Sequence, residues 1–187
     1  MRWGLWLRWV IVFLVAGCNL RATQTDVILP SAEEDIRQSV VDRRQNAQRY
    51  LLASQYDPAL SMLDDAIHLV EANRLNPGSD NTSTGIFSNR DLAELYVLRG
   101  QVWLGLYEWD RALADYNTAI NLDSTYADAY FYRGVLFYSV LQAGLTRRED
   151  ALADFEHYQE LAPTGDLAAA AQNYAATIRA ELATLNP

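Results

Sequence analysis

Apolar positions recur along most of the chain at intervals of three and four residues, the spacing of an amphipathic helix. No stretch alternates apolar and polar residues in the way that a half-buried strand would. The longest polar break, residues 76–89, is rich in Pro, Gly, Ser, Thr and Asn and predicts a loop. Pro163 and Gly165 precede one more amphipathic, Ala-rich stretch at about 166–184. The pattern predicts an all-α protein.

Two of the helical stretches carry the same residues at the same spacing. Residues 96–116 and 130–155 both begin Tyr-x-x-Arg-Gly and end Ala-Leu-Ala-Asp-aromatic, and their glycines, Gly100 and Gly134, are 34 residues apart. The second copy is longer, and its extra residues fall within 142–150, where a loop is expected. Glycine inside a helix costs about 1 kcal/mol relative to alanine. Its recurrence at one position therefore indicates that a neighbouring helix packs closely there.

A third, degenerate copy precedes these two. Ala47 stands at the position of the glycine, and Ala59 and Leu63 follow it at the spacing of the later alanine and aromatic residues. A period of 34 residues with these small and aromatic positions resembles the tetratricopeptide repeat (TPR). The resemblance implies an α-solenoid of about three helix-turn-helix units followed by a C-terminal capping helix.

The first residues of the chain have the layout of a secretory signal. Arg2 and Arg8 precede an apolar run, 9–16, that is too short to span a bilayer. The string VAGC at 15–18 resembles the lipobox of bacterial lipoproteins. That resemblance implies cleavage before Cys18 and acylation of its thiol and new amino group. An ordinary secretory signal, or a buried apolar first helix with an incidental cysteine, is the alternative interpretation.

These observations predict the domain organisation of the whole chain. The parts are a lipoprotein signal peptide (1–17), the lipidated cysteine and a tether (18–32), and a TPR-like helical domain (33–187). The repeat units of the helical domain lie at about 40–75, 93–126 and 127–165, with the capping helix at 166–184.

Composition and motifs narrow the functional classes. The chain has a formal net charge of −9, and its basic residues, all arginine, never cluster beyond pairs, so a nucleic-acid partner is not expected. His68 and His157 occupy unrelated repeat positions, and the single cysteine is assigned to lipid, so no metal or cofactor is predicted. No motif of a serine hydrolase, a P-loop enzyme or a zinc protease occurs. We expect no enzymatic activity.

The repeat resemblance implies a binding surface instead. In TPR domains the first helices of successive units line a concave groove. Carrying those positions over gives a candidate partner groove of Arg44, Gln48, Leu51, Val97, Gln101, Leu104, Phe131, Val135 and Tyr138, with the acidic residues Glu94 and Asp128 at two further groove positions. Some relatives hold the C-terminal carboxylate of a peptide there, but Leu98, Asp128 and Tyr132 stand where that clamp needs amide or basic groups. The predicted groove suits an amphipathic helix or an extended apolar segment.

The repeats also carry paired charges. Arg99 and Arg133 precede the two glycines, and Asp115 and Asp154 precede the two aromatic residues. We predict that Arg99 pairs with Asp115, and Arg133 with Asp154, between the two helices of each unit.

Taken together, the sequence predicts a cell-envelope lipoprotein that acts as a protein–protein interaction scaffold. It would be anchored through lipid on Cys18 and would face outside the cytoplasm. Asn19 after the cysteine favours the outer membrane if the source has one. The alternative function is a small-ligand or cell-wall glycan-binding lipoprotein, in which Tyr107 and Trp109 stack on sugars.

Overall fold

The computed structural model describes residues 32–74, 86–139 and 145–185. The predicted signal peptide, Cys18 and most of the 76–89 loop lie outside these ranges. Every regular element within them is an α-helix, which confirms the predicted all-α class. The helices are α1 (Ala32–Leu52), α2 (Tyr56–Arg74), α3 (Asn89–Gly105), α4 (Trp109–Leu122), α5 (Ala127–Ser139), α6 (Leu145–Leu161) and α7 (Ala168–Leu185).

The helices pack as consecutive pairs. The first pair is α1 with α2, the second is α3 with α4 and the third is α5 with α6. Each pair packs against the next, and α7 packs against α6. Contacts also join α1 to α3 and α3 to α5, so the first helices of the three pairs form one continuous layer. The result is the stacked arrangement of a TPR-type α-solenoid.

Close packing within the second and third pairs depends on their repeated glycines. A Cβ atom placed on Gly100 would lie 2.5 Å from Cε1 of Tyr116, and one on Gly134 would lie 3.2 Å from the ring of Phe155. The aromatic ring of the second helix therefore occupies the space that a side chain on the first helix would take. In the first pair the corresponding positions are held by Ala47 and Leu63, and both residues are fully buried in one cluster.

Three apolar clusters make up the core. One lies among α1, α2 and α3, the next among α3, α4 and α5, and the last among α5, α6 and α7. In the last cluster α7 buries Ala171, Ala175 and Ile178 completely. Its other face is exposed, as the end of a solenoid requires.

Both predicted ion pairs are present. Nε and Nη2 of Arg99 donate to the two carboxylate oxygens of Asp115 at 2.9 and 2.8 Å. The same atoms of Arg133 donate to Asp154 at 2.9 and 2.7 Å. These bidentate bonds join the two helices of a pair, and the side chains of both aspartates are only 7% exposed.

Each arginine also reaches back to the preceding pair, which the sequence did not predict. Nη1 of Arg99 donates to Asp64 at 2.8 Å, and Nη1 of Arg133 donates to Asn117 at 2.8 Å. Asp64 and Asn117 hold the same repeat position, directly after Leu63 and Tyr116. In the second and third pairs, one arginine therefore connects three helices.

Candidate partner groove

The layer of first helices bounds an open cavity of about 350 Å³, here called the groove cavity. Its lining comes from α1, α3, α5 and the turn before α5. The lining residues are Arg44, Gln48, Leu51, Leu52, Glu94, Val97, Leu98, Gln101, Tyr126, Asp128 and Tyr132.

Several predicted groove residues meet in this cavity. They are Arg44, Gln48 and Leu51 on α1, Glu94, Val97 and Gln101 on α3, and Asp128 on α5, although Val97 is only 2% exposed and belongs to the core. Spacings of three and four residues place them on one face of each helix, and the packing of α1 beside α3 brings the two faces together. Their role in binding a partner stays a prediction.

The remaining predicted residues do not line the groove cavity. Leu104 borders a different cavity, near the C-terminal end of α3. Val135 packs, partly buried, against the cluster shared by α5, α6 and α7. Tyr138 borders a cavity beside α7 and donates a hydrogen bond to Glu181 at 2.8 Å.

Phe131 is a correction to the predicted groove, because it is a core residue with only 6% of its surface exposed. Its ring meets those of Phe155, Tyr158 and Tyr174 edge-on, with centroids 5.6, 5.6 and 6.2 Å away. Tyr174 belongs to α7, so the terminal helix covers a position that faces the groove in the repeat pattern. The position of Phe131 within its repeat did not show that the terminal helix would pack over it.

Ion pairs hold the arginines around the groove cavity. Arg44 on α1 donates a hydrogen bond to Glu94 on α3 and so joins the first two pairs. Arg90, one turn before Glu94, donates to Asp123 at 3.0 Å, and its guanidinium lies 4.2 Å from the centroid of the Tyr126 ring. Both positive charges are therefore balanced by carboxylates within the domain.

Asp128, in the first turn of α5, brings a further carboxylate into the cavity. Among the described residues no hydrogen bond or close ion pair reaches it. Burial raises the pKa of its carboxyl, an effect that the charge of Arg90 opposes and that of Asp166 reinforces. The phenols of Tyr126 and Tyr132 line the same cavity, and burial together with the charge of Asp128 raises the pKa of both.

The residues that sequence reasoning missed come mainly from the turn before α5. Tyr126 and Leu52 both line the groove cavity. Tyr126 precedes α5 and so is not one of the first-helix positions that the repeat alignment gives, and Leu52 is the last residue of α1. In the sequence, Tyr132 is marked only as a departure from a carboxylate clamp, whereas Asp128 also holds a first-helix groove position. No signal in the repeat pattern marks a turn residue as part of the groove.

A second surface carries exposed aromatic side chains. Tyr107, in the turn between α3 and α4, is 78% exposed, and Trp109 is 39% exposed. Together with Leu104 and Ser139 they border an open cavity of about 430 Å³. The backbone of Tyr107 is left-handed, with φ of 63°, a conformation that favours glycine.

Other site types find no support in the part of the chain that the structure describes. There, no group of three or more His, Cys, Asp or Glu side chains is placed to hold a metal ion. The ring of His157 packs edge-on against Tyr130, with centroids 4.3 Å apart. None of α1 to α7 combines the length and apolar character needed to cross a membrane.

Comparison with known proteins bears on the fold. The family described as TPR repeat matches residues 108–140. The first TPR of Spaghetti (RPAP3), bound to the HSP90 peptide SRMEEVD, is 22% identical with a TM-score of 0.59, covering 78% of this chain and 97% of that chain. The second TPR domain of human RPAP3, in complex with the HSP70 peptide SGPTIEEVD, is 19% identical with a TM-score of 0.53, covering 77% and 98%.

A bacterial structure is similar as well. The TPR-like protein ct2138 from Chlorobium tepidum is 16% identical with a TM-score of 0.56, covering 83% of this chain and 99% of that chain. The comparison with curated protein sequences gives no match. With the repeat match and the shared architecture, the chain carries a tetratricopeptide repeat and has the fold of a TPR domain protein.

Proposed function

We propose that this chain is a protein-interaction scaffold of the cell envelope, held at the membrane by lipid on Cys18. The groove cavity carries the scaffold part of the proposal, because it is a concave surface built from the first helices of all three pairs. Two TPR domains of similar fold hold peptides in their solved structures, which supports the same use of this surface.

The chemistry of the groove cavity suits a polypeptide ligand. The amides of Gln48 and Gln101 can donate to and accept from a peptide backbone, and Leu51 supplies apolar contact. Amide and apolar side chains of this kind contribute hydrogen bonds and apolar contact to a bound polypeptide.

The envelope part of the proposal rests on the sequence of residues 1–18. A chain acylated at Cys18 would connect to α1 through residues 19–31, which span at most about 45 Å when fully extended. Two or more acyl chains are needed for stable anchoring. The anchor would concentrate the domain near partners in the same membrane layer.

Site-specific photo-crosslinking in the source organism tests the scaffold. A photoreactive amino acid is placed at Gln48, in the groove cavity, or at Gln172, an exposed glutamine on α7 outside that cavity. We expect a defined protein adduct from position 48 that position 172 does not form. The absence of an adduct at 48, or the same adducts from both positions, would contradict a groove-based scaffold.

Substitution of Cys18 tests the anchor separately. The unaltered chain should incorporate radiolabelled palmitate and sediment with membranes, and Cys18→Ser should lose both properties. A chain that is labelled and sedimented equally with and without the thiol would rule out acylation at Cys18.

The second candidate function, glycan binding, is favoured by one observation. Tyr107 and Trp109 border the same open cavity, and aromatic faces of this kind can stack on sugar rings. Cell-wall glycan fragments should then change the tryptophan fluorescence of the full chain, with the change lost in Trp109→Ala. Fluorescence that does not respond to the fragments would eliminate this alternative.

A further inference from the structure

We propose that the groove cavity selects polypeptide segments that carry a cationic side chain, arginine or lysine, which pairs with the carboxylate of Asp128. This inference rests on the proposed scaffold function and specifies the chemistry of its partner. It differs from a carboxylate clamp, which would recognise the opposite charge.

Most charged side chains at the groove cavity are already paired within the domain. Arg44 and Glu94 pair with each other across α1 and α3. Arg90 is held by Asp123 at 3.0 Å, and its distance to the nearer oxygen of Glu94 is 3.8 Å. Within the described ranges this leaves Asp128 as the cavity carboxylate without a hydrogen-bonded partner.

The Asp128 carboxylate is also partly removed from water. Removing a charged group from water without a compensating hydrogen bond is unfavourable. A ligand that donates hydrogen bonds to Asp128 recovers this free energy, and a cation does so most strongly. The Asp128 carboxylate can therefore recognise a partner by accepting hydrogen bonds from it.

Aromatic side chains line the cavity beside Asp128. The rings of Tyr126 and Tyr132 border the same cavity, and aromatic faces attract cations. Tyr126 already has the guanidinium of Arg90 on its ring, which shows that this contact forms here. A partner's cation would lie between Asp128 and the neighbouring Tyr132.

The same charges disfavour an acidic ligand. A peptide carboxylate in the cavity would meet Asp128 and Glu94, and the arginine of the lining is already paired. The acidic segment SRMEEVD held by the Spaghetti domain has the wrong sign for this surface. The net charge of −9 also attracts cationic segments from a distance and speeds their association.

Selection from a phage-displayed library of random dodecapeptides tests the proposal. The full chain in detergent micelles is the target, beside Asp128→Asn and the matched variant Asp65→Asn. Asp65 is exposed on α2, so its replacement removes the same charge outside the cavity. We expect the selected peptides to be enriched in Arg or Lys at one position.

Synthetic copies of the selected peptides then measure the contact. Their affinity should fall at least about tenfold with Asp128→Asn, the effect of losing one hydrogen bond between charged groups, and should stay unchanged with Asp65→Asn. Replacing the selected arginine by uncharged citrulline should weaken binding to the unaltered chain by a similar factor. This arm does not depend on the folding of any variant.

The outcomes separate the inference from the scaffold function. Peptides without cationic enrichment, or peptides that bind equally to the unaltered chain and to Asp128→Asn, overturn the inference and leave the scaffold standing. A library that yields no peptide binder overturns both.

Discussion

Tyr116 and Phe155 hold the same repeat position, and they differ by one hydroxyl group. Tyr116 is fully buried, and its hydroxyl has no hydrogen-bond partner among the described residues. Burial raises the pKa of this hydroxyl, so the group stays neutral and the cost is that of an unsatisfied polar atom.

Tyr116→Phe should therefore raise the free energy of unfolding by about 1 kcal/mol, measured by chemical denaturation. The control is Tyr158→Phe, since the Tyr158 hydroxyl accepts a hydrogen bond from the backbone N–H of Leu167 at 3.2 Å. That variant should lose stability. Destabilisation by both changes would indicate that the Tyr116 hydroxyl has a partner in solution.

The two repeat glycines should tolerate alanine differently. At Gly100 the new Cβ would lie 2.5 Å from a fully buried tyrosine ring, whereas at Gly134 the nearest atoms lie 3.2 Å away. Gly100→Ala should cost about 2–3 kcal/mol through overpacking. Gly134→Ala should cost less, because the helical preference for alanine offsets the milder contact. Thermal unfolding of both variants checks the order, and a reversed order would contradict the packing described.

Asp128 should make stability depend on pH. Burial raises the pKa of its carboxyl, so the folded protein holds this proton more tightly than the unfolded chain. The associated stability is therefore complete at low pH and is lost as pH rises from the ordinary aspartate range through the raised pKa. Arg90 and Asp166 are the charged groups that act on the Asp128 carboxyl.

Asp128→Asn should consequently be more stable than the unaltered chain at pH 7 and equally stable near pH 3. Urea denaturation at the two pH values, in an Asp166→Asn background, measures the difference. An Asp128→Asn variant that is less stable at pH 7 would show that the carboxylate is paired within the domain.

At the scale of the elements, arginine side chains join the two helices of the second pair and of the third pair, and each also bonds to the pair before it. In the first pair Asn46 and Met62 stand where the second pair has Arg99 and Asp115. This helix packing is therefore attainable without the charges. The arginine bridge adds directional bonds to an interface that small and apolar residues already close.

A double-mutant cycle that copies the first pair tests this bridge. Arg99→Asn should cost about 3 kcal/mol, because it leaves Asp115 buried and unpaired. Asp115→Met should cost a comparable amount, and the double variant should cost clearly less than the two together. Additive losses in chemical denaturation would mean that the pair makes no specific contribution.

At the scale of the whole molecule, α7 closes the end of the solenoid. It covers the rings of Phe131 and Phe155, and the centroid of Tyr174 on α7 lies 4.9 Å from that of Phe155. Without α7 these rings would face water. Terminal elements of this kind keep a repeat array soluble.

Removal of residues 166–187 should abolish cooperative thermal unfolding of the third pair and increase binding of a hydrophobic dye. Ala176→Glu, on the exposed face of α7, is the matched control and should change neither property. A truncated chain that still unfolds cooperatively at the original temperature would show that α7 is dispensable.

The repeat pattern predicted the fold well because it specifies contacts between helices that are adjacent in the sequence. A small residue on one helix and a large residue opposite it on the next helix specify how the two helices pair. The Arg99–Asp115 and Arg133–Asp154 ion pairs form because these residues directly precede the glycine and the aromatic residue of each repeat. Much of the candidate groove followed too, since Gln48 and Gln101 lie on helix faces that repeat phase defines. These features need only neighbouring elements.

The sequence by itself determined the helices, their pairing and the charges available to the first-helix layer. Tertiary structure decided which of those side chains are exposed and which are paired, because both properties depend on elements that lie far apart in the chain. Packing of α7 buried Phe131, and the turn before α5 brought Tyr126 to the cavity. Contact between α1 and α3 paired Arg44 with Glu94, while Asp128 kept no such partner in the described structure. A charge is neutralised only when an opposite charge lies close to it in three dimensions, and the spacing of the repeats in the sequence does not give that distance.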